Sequence, residues 1–229
     1  MLDRLGLQKT TLVDYPGHVA ATLFTHGCPL RCPYCHNPEL IAGPVPEHFL
    51  SRREISDFLA SRARLLDGVC ITGGEPLVHQ DLAELLEEIR SHGLAVKLDT
   101  SGMFPEHLER LLTGGLVDFV AVDFKTGPEH YDRVGGDGEK FLRAVAILRE
   151  SGVDYELRTT AAPGVVTEED IAAIAAELKP GERYVLTQFR PGVTLDPLQS
   201  EALPYTAQTL RDWCDRIGES GAECLLRGV

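Results

Sequence analysis

The sequence predicts an α/β fold in which helices cover a parallel sheet. Three observations predict it: short runs rich in Val, Ile, Leu, Thr and aromatic residues, amphipathic segments between them, and about six repeats of that alternation. The first run is "HVAATLF" (18–24), followed by "GVCIT" (68–72), "AVKLDT" (95–100) and "DFVAVDF" (118–124). "YELRTT" (155–160), "YVLTQF" (184–189) and "ECLLR" (223–227) complete the strand set, each bounded by turn residues.

The helical segments carry their own signals. In "DLAELLEEIRSHG", Leu82, Leu85, Leu86 and Ile89 recur on one face, and Gly93 supplies a stop. "PEHLERLLTGG" opens with Pro105, tolerated in a first turn where the backbone N–H has no partner. "TEEDIAAIAAELKPG" places Thr167 as N-cap, acids in the first turn, and Ile171, Ile174 and Leu178 on one face. Segments 52–66, 139–151 and 206–218 complete the helices. The sheet is either open and doubly wound or curved like a barrel, and in both cases functional groups belong at the carboxyl ends of strands. No composition shift divides residues 1–229, so one domain is expected, with a core over about 18–190 and a strand–helix extension over about 191–229. Two longer loops, 125–138 and 190–204, follow strands and are expected over the same rim, as lids, partner contacts or mobile segments.

Composition limits the partners. A net charge of −13, with 43% hydrophobic and 25% charged residues, suits a soluble protein and disfavours nucleic acid or an anionic membrane as a partner. No apolar run is long enough to span a bilayer, and "MLDRLGLQKT" lacks a signal-peptide core, so a cytoplasmic protein with reduced thiols is expected. Of the six cysteines, Cys70, Cys214 and Cys224 are scattered and read as small buried hydrophobes. Cys214 and Cys224 can approach each other in a fold, but their spacing specifies no metal site.

Cys28, Cys32 and Cys35 are different. "GCPLRCPYCHN" packs three thiols into eight residues with C-x3-C-x2-C spacing. Zinc requires a fourth ligand; His36 adjoins Cys35, and neighbouring residues do not easily fill two vertices of one tetrahedron. Thiolates also select iron–sulfur clusters, and three of them leave one iron of a cubane open. A second element, "ITGGEP" (71–76), ends the second expected strand, where Gly73 and Gly74 permit close backbone approach to a ligand. "GGDG" (135–138) lacks the Lys-Ser/Thr of a phosphate loop and reads as a turn.

The cysteine spacing, the aromatic Tyr34 before the third cysteine, and the GGEP turn together resemble the radical S-adenosylmethionine (SAM) enzymes. The resemblance implies a partial (βα)6 barrel with a curved parallel sheet and outer helices, and one 4Fe-4S cluster on Cys28, Cys32 and Cys35. It also implies SAM chelated to the open iron through its amino and carboxylate groups, and reductive cleavage to a 5′-deoxyadenosyl radical. Within that superfamily, "VDYPGHVAATLFTHGCPLRCPYCHNPEL" resembles the glycyl radical enzyme activases, above all those of anaerobic ribonucleoside-triphosphate reductase, over about residues 8–190.

That resemblance assigns Tyr34, Gly73, Gly74, Glu75, Asp99, Lys125 and Arg158 to SAM. It assigns Asp99, Thr100, Asp123 and the Ala121 carbonyl to a monovalent cation, since two acids at adjacent strand ends need a cation or a proton to coexist. Some activases carry a histidine against the nucleoside; this chain has "TQFRP", leaving Gln188 or Arg190 for that contact. His18, His26 and His36 read as supporting residues. The implied partners are a glycyl radical enzyme and a low-potential electron donor such as flavodoxin or ferredoxin. Two other readings stay open: a radical SAM enzyme acting on a small molecule, such as a deazapurine-forming synthase, and a noncatalytic zinc- or cluster-binding adaptor.

Overall fold

The computed structural model describes residues 2–229; Met1, the first residue of the expected domain, lies outside the described residues. In chain order the strands are β1 (Arg4–Thr11), β2 (Ala20–Thr25), β3 (Leu50–Ser51), β4 (Gly68–Gly73), β5 (Ala95–Thr100), β6 (Phe119–Asp123), β7 (Asp154–Ala161), β8 (Arg183–Gln188) and β9 (Glu223–Arg227). The helices are α1 (Arg52–Arg62), α2 (Leu82–Ser91), α3 (Pro105–Thr113), α4 (Gly138–Ser151), α5 (Glu168–Glu177), α6 (Pro197–Ser200) and α7 (Ala207–Gly218). All nine strands form one sheet in the order β3-β1-β2-β4-β5-β6-β7-β8-β9. From β2 to β9 every pairing is parallel, with β1 antiparallel on β2 and the two-residue β3 antiparallel on β1.

The seven expected strands are therefore the seven parallel ones. β1 and β3 were not expected, because Gln8, Lys9 and Thr10 of β1 are polar and exposed and β3 is only two residues long. The chain of pairings runs from β3 to β9 without a ladder joining those two edges, so the sheet does not close.

Alternation along the parallel strands separates two faces. Val69 and Ile71, Val96 and Leu98, Val120 and Val122, and Leu157 join one core with Leu82, Leu85 and Ile89 of α2, Leu108 of α3, Phe141 of α4 and Ile171 of α5. The opposite face carries Thr22, Cys70, Lys97 and Phe119 in register in one row and Asp99, Ala121 and Glu156 in the next. One face is thus apolar and covered by helices, and the other is polar and faces the interior of the partial barrel.

Neither long loop is free. In 125–138, Asp170 at the start of α5 collects Gly127 N–H (3.2 Å), the His130 ring (2.6 Å) and Arg133 (2.8 Å), and Thr167 and Asp170 complete a capping box. The 190–204 segment is tied to the cysteine loop, as described below. One cysteine expectation is overturned: Cys214 on α7 and Cys224 on β9 are half-buried and joined as a disulfide, their Cα atoms 5.5 Å apart. The short turn between α7 and β9 brings them face to face. Cys70 is fully buried, as a small hydrophobe would be. Among the described residues, no helix is long and apolar enough to cross a membrane.

Burial alone would raise the Asp170 carboxyl, but hydrogen bonds from His130 and Thr167 and the Arg133 charge hold it down at about 2. Its stabilisation, about 2 kcal/mol, is complete above the ordinary carboxylate value near 4 and is lost as pH falls from there towards 2. Urea unfolding across that range should show the decline in wild type. Asp170→Asn should be less stable at neutral pH and should show a flatter profile; an unchanged slope would remove Asp170 as its cause.

Candidate active site

The cysteine loop leaves β2 at Thr25 and is held by backbone hydrogen bonds along its length. Gly27 N–H donates to Leu40 O (2.7 Å), Cys28 N–H to Ile41 O (3.0 Å), Arg31 N–H to Val134 O (2.8 Å) and Cys35 N–H to Cys32 O (3.0 Å). From outside, Leu195 N–H donates to Cys35 O (3.0 Å) and Asp196 N–H to Pro33 O (2.9 Å), while the His36 Nδ1–H turns to Val193 O (3.1 Å). The loop is thereby clamped between the two long loops and the segment after it. All three thiols border one cavity of about 240 Å³, together with Tyr34, Gly73 and Gly74.

The GGEP turn closes the foot of the loop. Gly73 has φ +112°, and a Cβ there would stand 2.4 Å from Thr25 N; at Gly74 it would stand 2.3 Å from Gly27 O. Gly74 N–H donates to Thr25 O (2.9 Å) and Glu75 N–H to Gly27 O (2.8 Å). Close approach is indeed the reason for these glycines, but the atoms approached belong to the end of β2 and to the cysteine loop that follows it.

Glu75 departs from its expected place. Its side chain is 1% exposed and does not border the cavity. The carboxylate accepts Leu77 N–H (3.1 Å), the Thr100 hydroxyl (2.7 Å), Ser101 N–H (2.7 Å) and the Ser101 hydroxyl, so protein donors fill the acceptor that was expected to receive the SAM ammonium. Gln188 departs too. In register it pairs with Ala161, one residue beyond the Thr160–Thr187 pair whose Thr160 borders the cavity. Its amide donates to Tyr205 O (2.8 Å), so it lies on the other face, away from a nucleoside in the barrel. Arg190 is exposed beyond the strand.

Asp99, Thr100, Asp123 and Lys125 do border the cavity. Arg158 reaches across from β7 to Asp99 (3.2 Å) and Asp123 (2.9 Å), Lys125 holds the other Asp123 oxygen (2.9 Å), and Lys97, 1% exposed, contacts Asp99. Burial alone would raise the Asp123 carboxyl, but Arg158 and Lys125 carry it well below the usual range. Burial would lower Lys125, and the Asp123 charge overrides that and raises it. The two acids therefore coexist because three side-chain cations surround them. The need for a cation or a proton beside these acids is thus met by side chains. Thr100 spends its hydroxyl proton on Glu75, and Ala121 lies buried in β6 opposite Asp99.

Burial pushes the Cys28 thiol up to about 11 and raises Cys32 as well, so deprotonation there calls for a bound cation in place of the proton. Zinc would draw its thiolates to about 4 Å from one another. Among the described residues, no three His, Cys, Asp or Glu side chains gather closely enough for a single metal ion. Thiols spaced around a cavity suit ligands to separate irons of one cluster. The Tyr34 hydroxyl, buried at the same cavity without a partner, is a polar atom awaiting a ligand.

The sequence profile of the radical SAM superfamily matches residues 22–178. The chain belongs to the radical SAM superfamily. A Methanocaldococcus jannaschii protein, carried under the provisional name glycyl-radical enzyme activating enzyme, is 34% identical over 198 residues, covering 81% of this chain and 79% of its own. A pyruvate formate-lyase-activating enzyme of Staphylococcus aureus is 29% identical over 179 residues, covering 72% and 70%. Among solved structures, Streptococcus suis SuiB bound to S-adenosylmethionine superposes with a TM-score of 0.68 at 14% identity, over 89% of this chain and 49% of SuiB. This radical SAM chain thus spans about half of SuiB and shares its fold, and its kinship is with the glycyl-radical enzyme activating enzymes.

Sequence reasoning missed Lys97, Ser101, and the ion pair of buried Glu156 with Arg227 across β8 (3.1 Å). A signal existed: Lys97 and Glu156 are charged residues in strand interiors, flanked by the apolar Val96 and Leu98 and by Tyr155 and Leu157. Since Glu75 serves as a brace between the exits of β4 and β5, Glu75→Gln should destabilise the metal-free protein by about 3 kcal/mol, because its amide would face donors. Thermal and urea unfolding of the apo-protein measure this; wild-type stability in that variant would return Glu75 to a ligand-only role.

Proposed function

We propose that this radical SAM chain activates a glycyl radical enzyme, with anaerobic ribonucleoside-triphosphate reductase as the partner. The observation that carries the reading is the convergence of three thiols from one loop on a cavity whose far wall holds two carboxylates within three cations. The relatedness to glycyl-radical enzyme activating enzymes over four-fifths of the chain supports the choice of substrate class.

In this reading Cys28, Cys32 and Cys35 ligate three irons of a single 4Fe-4S cluster. Tyr34 and the backbone around Gly73 and Gly74 line the place for SAM. Lys97, Lys125 and Arg158 against Asp99 and Asp123 leave one positive charge in excess, which suits the SAM carboxylate. Asp99, which borders the cavity, is the acid offered to the ammonium group beside its pairs with Lys97 and Arg158. Bound together, cluster and SAM supply one-electron cleavage of a sulfonium bond and abstraction of hydrogen from a glycine α-carbon. The protein's own work is positioning and shielding: buried Leu30, Ile41 and Tyr34 keep water from the thiols, and the clamped loop holds them in place. The open interval between β3 and β9 gives a protein segment a way to the interior. The electron comes from a low-potential cytoplasmic donor such as flavodoxin or ferredoxin.

Protein purified without oxygen should be brown with about four irons per chain, and replacing any one of Cys28, Cys32 or Cys35 by Ala should abolish the iron and the colour. With SAM and dithionite it should release 5′-deoxyadenosine and methionine. Adding the candidate reductase should produce a glycyl radical by electron paramagnetic resonance. Turnover of a small metabolite, with no radical on any protein partner, would sink the activase reading.

A further inference from the structure

Arg31 lies between the first two cysteines and takes no part in the cavity wall. It is exposed, yet both its backbone and its side chain are committed to the cysteine loop. Its N–H donates to Val134 O (2.8 Å), and its Nη1 donates to both Cys28 O (2.8 Å) and Leu30 O (2.8 Å). Leu30, its neighbour, is buried and anchors the loop from the other side.

The charge of Arg31 also differs from the other cations of the site. Lys97, Lys125 and Arg158 are each paired with Asp99 or Asp123. Among the described residues Arg31 pairs with no carboxylate; the atoms it touches are the uncharged carbonyls of the loop itself. Its guanidinium is thus a full positive charge fixed against the backbone of a cluster-ligating residue, in a chain whose net charge is −13.

Reduction adds one negative charge to an iron–sulfur cluster, and nearby charge and hydrogen bonding are among the terms that set its potential. An anionic protein opposes that added charge, and a fixed, unpaired cation close by favours it. We propose that Arg31 is a positioning residue that raises the reduction potential of the cluster on Cys28, Cys32 and Cys35, by holding an uncompensated charge against the loop. The inference rests on the cluster reading given under Proposed function. Lysine keeps the charge and loses only the guanidinium that rests on the two carbonyls.

The test is an equilibrium redox titration of the reconstituted protein, followed through the paramagnetic signal of the reduced cluster. Wild type is compared with Arg31→Lys and with two charge-free variants, Arg31→Gln and Arg31→Met, so that one retaining the full iron content suffices. At a fixed poise the ratio of reduced to oxidised cluster should fall several-fold in the charge-free variants and much less in Arg31→Lys. Equal midpoints in wild type and a charge-free variant that holds its iron overturn the inference and leave the cluster reading intact. A shift in Arg31→Lys as large as in Arg31→Gln overturns it too, since charge would then not be the cause. Wild-type protein that takes up no cluster defeats both readings together.

Discussion

The site depends on backbone packed against backbone where the cysteine loop meets the GGEP turn. Gly74 sits so close to Gly27 that any side chain would be driven to within 2.3 Å of a carbonyl oxygen, and Gly73 requires a positive φ at the same contact. Two hydrogen bonds, to Thr25 O and Gly27 O, seal the junction. The position of Cys28 is therefore set by the exit of β4, a strand separated from it by forty residues of chain. Fixing a loop this way restricts it more firmly than side-chain packing can, because backbone atoms have no rotamers to exchange. It also explains why a short turn and a short cysteine run, each ambiguous alone, carry meaning as a pair.

A second constraint is electrostatic. Buried carboxylates at neighbouring strand ends are costly unless cations accompany them. Here the cations are side chains from three different strands or their exits: Lys97 on β5, Lys125 just after β6 and Arg158 on β7. The arrangement ties these three strands together on the polar face, as the apolar residues tie them to the helices on the other. A set of charges so interlocked moves little when a ligand arrives, and preorganisation of that kind reduces the cost of binding.

Most of the fold was legible in the sequence, for a simple reason. Parallel strands covered by helices repeat one pattern, and each of the seven runs from "HVAATLF" to "ECLLR" stands between clear breakers. β1 left a weaker trace: it lies towards one margin of the sheet, its apolar alternation is limited to Leu5 and Leu7, and Gln8, Lys9 and Thr10 are exposed. At the site, the three loop cysteines and the acidic strand ends, which border one cavity, were legible because spacing and strand position single them out. The partners of those residues were not. That Glu75 turns into the protein, that Gln188 turns towards Tyr205, and that Lys97 lies beneath Asp99 are facts of register and three-dimensional packing. A one-residue change in strand phase exchanges the two faces, and sequence spacing alone leaves that phase open where strands are short and mixed.

The match to the radical SAM profile ends at residue 178, yet the site does not end there. Buried Glu156 on β7 is neutralised by Arg227 on β9, and the cysteine loop is held from outside by Val193, Leu195 and Asp196. Removing residues 179–229 would take away β8 and β9, strip Glu156 of its Arg227 partner and free the outer side of the loop between Cys32 and Cys35. The extension thus braces the cysteine loop and pairs a buried acid of the sheet. It also carries β9, one of the two edges flanking the sheet opening, and the exposed apolar side chains of Val193, Leu198 and Leu203. Any change in this segment is limited by the hydrogen bonds through which it braces the cysteine loop.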